Sequence, residues 1–166
     1  MGRATALLVV SLALAGCGSA SDDHTLDVVY DPCDVSIIVD EGATATERES
    51  VVSGLSLWNI AATLELGTEA RGDLPQLRIQ FQEAALAFRG VYDDERGIVF
   101  VNRRLTDRRA QMITVAHEVG HAFGLWHVAT SERKSLMNPG NIEVEPTSLD
   151  VQELRGHWGS CAPATE

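Results

Sequence analysis

Three of the chain's five histidines fall in one short stretch, "TVAHEVGHAFGLWHV", residues 114–128. An imidazole nitrogen is a good ligand for Zn²⁺, and a carboxylate beside it can carry protons. His117 and His121 are four apart, which places both rings on one face of a helix. His127 lies ten residues beyond His117. On an unbroken helix that is about 15 Å, too far for the two to share an ion. Gly124 offers the way out. Glycine adopts the positive φ that ends a helix and turns the chain, so Leu125 and Trp126 can bring His127 back to the first two rings. Glu118 follows His117 by one residue and points about 100° around the helix, beside an ion rather than onto it. A site with three protein ligands keeps a fourth position for water, whose pKa falls from about 15.7 to about 7 on the metal. Glu118 can accept that water's proton and return it to a departing amine.

The pentapeptide His117–His121 alone is a weak signal, because five residues recur in core helices as half-buried histidines. Gly124 and His127 extend it to HExxHxxGxxH, a pattern with little room for coincidence. On these residues the chain resembles the metzincin metalloproteases, and "HVATSERKSLMNP" after them is most similar to matrixins and their bacterial relatives. The resemblance implies a zinc-dependent endopeptidase acting on a protein or peptide substrate. One catalytic Zn²⁺ would sit on His117, His121 and His127, with Glu118 as general base and then acid. Met137, in "SLMNP", would occupy a Met-turn, an apolar floor beneath the ion that does not ligate it.

The resemblance also implies a long first helix behind a twisted mixed sheet, in "VVSGLSLWNIAATLEL", and a closing helix in "SLDVQELRGHWG". An edge strand should run antiparallel to the bound peptide, and Gly97, Ile98, Val99 and Phe100 of "GIVFVN" take that place. Main-chain pairing to an exposed edge is a general way to hold an extended peptide. No tyrosine closely follows Met137, so no tyrosine ligand of the astacin or serralysin kind is expected. The structural zinc and calcium loops of animal matrixins have no match. Residues 92–97, "YDDERG", hold acids enough for calcium, but a solvated turn is the simpler reading. His24 and His157 lack ligand-like neighbours and read as surface histidines. A rival reading from another class is a zinc-stabilised, non-catalytic binding or structural lipoprotein. Glu118 speaks against it, since a structural site needs no base and closes its fourth position.

The elements that must position these groups can be traced by periodicity. Residues 34–42 read as a strand. From Thr44 to about Leu66, Val51, Val52, Leu55, Trp58, Ile60, Ala61 and Leu64 recur at helical spacing, and Gly67 with "GTEARGDLP" ends the helix. "RGD" at residues 71–73 is taken as loop. Residues 76–82 alternate as a strand with one wet face, 85–92 are ambiguous, and 97–102 form a compact apolar strand. Thr106 or Asp107 caps the helix bearing the histidines. Pro146 and a Thr147–Asp150 capping box open a short helix to about Arg155. The fold class is α+β with a metzincin-like catalytic domain.

A chain of 166 residues supports one domain. Its net charge of −11 argues against nucleic acid and against electrostatic docking on anionic lipid. "RKS" at 133–135 and "NRRLTDRR" at 102–109 are read as solvated surfaces. Residues 1–16 read as a signal peptide, with a basic start and an apolar run too short to span a bilayer. Leu14-Ala15-Gly16-Cys17 resembles a bacterial lipobox, which would acylate Cys17. The expectation is a protein exported and lipid-anchored to the bacterial envelope, or secreted if Cys17 carries no lipid. Residues 17–25 form the tether and 26–166 the peptidase domain; oligomeric state is not legible. Cys33 and Cys161 remain as an even pair and read as a disulfide in an oxidising compartment. A Cys33 thiolate plugging the metal, as in matrixin pro-segments, is the alternative, but "YDPCDVS" does not match that switch sequence.

Overall fold

Strands β1 (Ser36–Val39), β2 (Gln76–Gln82), β3 (Gly90–Asp93) and β4 (Ile98–Asn102) form one sheet in the order β1-β2-β4-β3. The structure is a computed structural model that describes residues 26–161. The stretches read as signal peptide and tether, with Cys17 and His24, lie outside the described residues. β1, β2 and β4 run parallel and β3 antiparallel, so the sheet is mixed. With helices α1 (Ala45–Ala62), α2 (Arg108–Ala122) and α3 (Ser148–Trp158), the domain is α+β.

The apolar faces explain the layering. Ile37, Leu77, Ile79, Val99 and Val101 of the sheet are buried together with Leu55 and Trp58 of α1 and Ile113 and Val115 of α2. β2 alternates buried Leu77, Ile79 and Phe81 with more exposed partners, as a strand with one wet face must. α1 lies close against α2 because Gly54 has no side chain. A Cβ there would stand 2.9 Å from the Met112 carbonyl oxygen and 2.8 Å from Val115 Cγ1. The buried Trp58 indole donates to the Ala116 carbonyl, tying α1 to the turn of α2 that bears His117.

Two expectations about elements are corrected. α1 stops at Ala62, not near Gly67: Thr63 takes a left-handed conformation (φ 60°) and its N–H bonds to the Asn59 carbonyl. The Asn59 side chain then holds Leu66 through both its N–H and its carbonyl. Val52 and Ile60, read as part of the apolar face, are exposed. The second correction concerns the sheet edge. β4 is paired on both sides, by β2 and by β3, so the main chain of Ile98, Val99 and Phe100 has no free edge. The sheet's edges are β1 and β3, and the edge next to β4 is β3, within a stretch whose sequence reads ambiguously. Gly97 itself lies under the Tyr30 hydroxyl, which a Cβ would meet at 2.3 Å.

Cys33 and Cys161 are joined by a disulfide across a sequence separation of 128. Such bonds persist in oxidising compartments, and no helix among the described residues is long and apolar enough to cross a membrane. A loop of this length is worth about 4–5 kcal/mol of chain entropy. Cys33→Ser should therefore lower the urea midpoint sharply, and reducing the parent should lower it to the same value. Equal midpoints for parent and variant would show that the bond does not constrain the unfolded chain.

Candidate metal centre

α2 begins at Asp107, whose carboxylate accepts the Ala110 N–H, and ends in a Schellman motif. The Gly124 N–H bonds to the His121 carbonyl and the Leu125 N–H to the Gly120 carbonyl, with Gly124 at φ +90°. This reversal carries His127 back over the last turn of α2. His127 Nε2 lies 3.2 Å from His117 Nε2 and 3.2 Å from His121 Nε2, and the three ligand atoms lie within 4.8 Å of one another. Among the described residues these three histidines are a group that could hold a metal ion.

The surrounding hydrogen bonds test the fit. His117 Nδ1 faces the Leu136 carbonyl at 2.8 Å and His121 Nδ1 faces the Leu125 carbonyl at 2.7 Å. A carbonyl only accepts, so each Nδ1 carries the proton and each Nε2 presents a lone pair to the centre. A single proton on His127 Nε2 serves the three converging nitrogens poorly, whereas one cation serves all of them. Tetrahedral Zn²⁺ with bonds of 2.0–2.1 Å requires ligand nitrogens about 3.3 Å apart, close to the 3.2 Å that separates His127 Nε2 from each of the other two. Burial lowers the pKa of His117 to about 4 and that of His121 to about 3. For His117 the Leu136 carbonyl opposes the fall and the neighbouring His127 adds to it. For His121 the His117 ring adds to the fall and the Leu125 carbonyl opposes it. His127, more exposed, is also held below its ordinary value by burial. All three are therefore neutral near pH 7, the form that ligates.

Met137, fully buried, lies beneath the ligands. A Cβ on Gly120, which stands between His117 and His121 in α2, would meet Met137 Sδ at 2.6 Å. The turn that holds Met137 also holds His127: the Val128 N–H donates to the Met137 carbonyl, and Asn138 Nδ2 donates to the Val128 carbonyl. Behind this turn sits Asp150, which sequence marked only as a capping residue. Its carboxylate accepts the Leu136 N–H, the Ser135 and Thr147 hydroxyls and the Thr147 N–H, and it pairs with Arg133 at 2.6 Å. The Leu136 carbonyl in turn accepts His117 Nδ1–H, so the buried carboxylate braces the peptide that orients a ligand. Burial pushes the Asp150 pKa up, but the Ser135 hydroxyl, the Thr147 N–H and Arg133 outweigh it and the carboxylate stays ionised. Arg133, read from sequence as solvated, belongs to this brace. Asp150→Ala strips the Leu136 and Thr147 N–H groups and the Ser135 and Thr147 hydroxyls of their shared acceptor and leaves Arg133 with Glu153 alone, and should cost about 3–5 kcal/mol, read by urea denaturation. A change below about 1 kcal/mol, the range of an exposed pair, would deny it that role.

The histidines open into a cleft of about 550 Å³, lined on one side by Gly90, Val91 and Tyr92 of the edge strand and on another by Gly140 and Asn141. Glu118 lies in the same cleft, 6 % exposed, and has no ion-pair partner among the described residues. Burial raises its pKa to about 8, against a backbone hydrogen bond from Tyr92. Its side chain rests on Gly90: a Cβ there would stand 2.9 Å from Glu118 Oε1 and 2.7 Å from Thr114 Cγ2. Gly90 thus places the edge strand against the carboxylate, a role with no signature in the sequence. Gly90→Ala should displace Glu118 and destabilise by about 1–3 kcal/mol through overpacking. A crystal structure of the variant with β3 and Glu118 unmoved would refute this.

Of the residues singled out in sequence, His117, His121 and His127 converge, Glu118 lines their cleft, Gly124 ends α2 and Met137 lies below. Gly97, Ile98, Val99 and Phe100 do not line it; Val91 and Tyr92, which pair with Phe100 and Val99 across the sheet, do. The acidic stretch at 92–97 is the end of β3 and the turn into β4, in which Asp93 is held by Arg96. No protein-family model matches this chain, and no curated protein does. Among solved structures, one described as "Structure of myroilysin" shares 20 % sequence identity with a TM-score of 0.46, over 62 % of this chain and 54 % of that one. The chain thus spans about half the length of that structure.

Proposed function

We propose that this protein is a zinc-dependent endopeptidase that works outside the cytoplasm, tethered through a lipid on Cys17. The observation that carries the reading is the convergence of three Nε2 atoms, two with fixed tautomers, in an open cleft that also holds an unpaired carboxylate. His117, His121 and His127 would hold the ion. Bound there, Zn²⁺ supplies Lewis acidity toward a scissile carbonyl and lowers the pKa of water to about 7.

The chain's own residues would do the rest. Glu118 would take the proton of the attacking water on a carboxylate oxygen and deliver it to the departing amine nitrogen. The outer edge of β3 offers main-chain donors and acceptors to an extended substrate, replacing β4 in that role. The Met-turn reading fits Met137, which is buried against Gly120 and supports α2 from below.

The test is to purify the full chain under oxidising conditions, measure bound metals by elemental analysis and assay a mixed-sequence peptide library with and without chelator. Stoichiometric zinc and chelator-sensitive cleavage are expected. Zinc without cleavage would move the reading to a structural zinc lipoprotein, and no metal at all would sink both.

A further inference from the structure

Four of the eight large apolar side chains left exposed among the described residues stand on the lining of the one cleft that holds the histidines: Leu86, Phe88, Val91 and Trp126. Exposed apolar residues scattered singly need no explanation, but such a cluster does. Leu86 and Phe88 are 68 % and 65 % exposed, yet their loop is firmly built. Asn102, itself 2 % exposed, donates from Nδ2 to the carbonyls of Ala84, Ala85 and Phe88 and accepts the Ala84 N–H. A buried amide therefore holds up a loop whose two largest apolar side chains project into solvent.

Trp126, 45 % exposed, stands on another part of the lining, just past the turn at Gly124. The segment leading from the tether arrives at the same place. Tyr30 N–H bonds to the Ala122 carbonyl at the end of α2, Val29 is exposed beside Gly124, and Leu26 lines the cleft. Cys17 precedes Leu26 by nine residues, which reach about 30 Å at full extension. A lipid on Cys17 thus keeps this mouth within that distance of the bilayer. An anchor alone would leave the domain free to turn; an apolar rim at the point of attachment would not.

We propose that the rim formed by Leu86, Phe88 and Trp126 docks on the headgroup–acyl boundary of the bilayer that carries the Cys17 lipid, so that the cleft serves membrane-proximal polypeptide. The proposal rests on the lipid-anchored peptidase reading given above. Trp and Phe are the side chains that settle at this boundary. The net charge of −11 and the exposed Asp27 and Glu83 near the rim favour zwitterionic over anionic headgroups.

The experiment reconstitutes the full-length protein, its acylation read by intact mass, into phosphatidylcholine vesicles with brominated or plain acyl chains. Trp126 is the reporter, since Trp58 is fully buried and the Trp158 indole is bound to the Phe123 carbonyl. Brominated lipid should quench emission, Trp126→Phe should remove the quenched component, and Leu86→Ser with Phe88→Ser should remove most of it from the parent. A peptide joined to the headgroup by a short spacer should be cut faster than the same peptide on a long one. Acylated protein with no quenching overturns the docking while the anchor stands; protein with no acyl group and no quenching overturns both. Equal cleavage on both spacers overturns the membrane-proximal assignment.

Discussion

Glu118→Gln should retain zinc at the parent's stoichiometry and lose peptide hydrolysis by about 10²–10⁴-fold, the usual contribution of a positioned proton carrier. Glutamine keeps the shape that packs on Gly90 but cannot take a proton from water, so metal binding and chemistry separate. The same substitution should stabilise the metal-free protein. The folded-state pKa of Glu118 is raised to about 8, from an ordinary value near 4.5. A carboxyl whose folded pKa is raised contributes stability that is present below about pH 4.5 and is lost as pH rises toward about 8. The gap between variant and parent should therefore widen over that window and level off above it. Urea titrations of chelated protein across the pH range check the sign. A variant as active as the parent would remove Glu118 from the mechanism, whatever its stability.

The parts of the site that lie close together in sequence were legible, and the parts that meet across the fold were not. His117, His121, Gly124 and His127 could be read because a helix and one glycine turn determine their relation. Its place directly before α2 makes β4 read as the edge. Its unbroken "IVFV" is, however, the pattern of a strand covered on both faces, and β2 and β3 flank it. The edge beside β4 is β3, four residues long and starting at a glycine, too little for periodicity to register. Asp150 was identified as half of a capping box, which it is. Its second role depends on Arg133, Ser135 and Leu136, brought to it only when α3 folds against the turn that holds Met137. Gly90 is further still from inspection, because what matters there is a missing side chain opposite Glu118.

Removing any one of the three histidines should abolish both tight zinc binding and hydrolysis, but the consequences for folding should differ by position. His117 and His121 lie on one helix that is already packed on α1, so an ion shared between them restrains little. His127 lies beyond the turn, and an ion joining it to α2 links two separately folded pieces of chain. Zinc at about a hundred times its dissociation constant stabilises the folded form by about 2.7 kcal/mol. His127→Ala should lose that linkage entirely, so that its melting temperature no longer responds to chelator. His121→Ala should show the same flat response. In its metal-free form it should lose less stability than the parent as pH falls below about 6.5, since a buried imidazole whose folded pKa is held near 3 costs the fold stability in that range. Differential scanning calorimetry of parent and variants, with zinc and with chelator, separates these effects. A parent whose melting temperature ignores chelator would show that the three nitrogens converge without holding an ion.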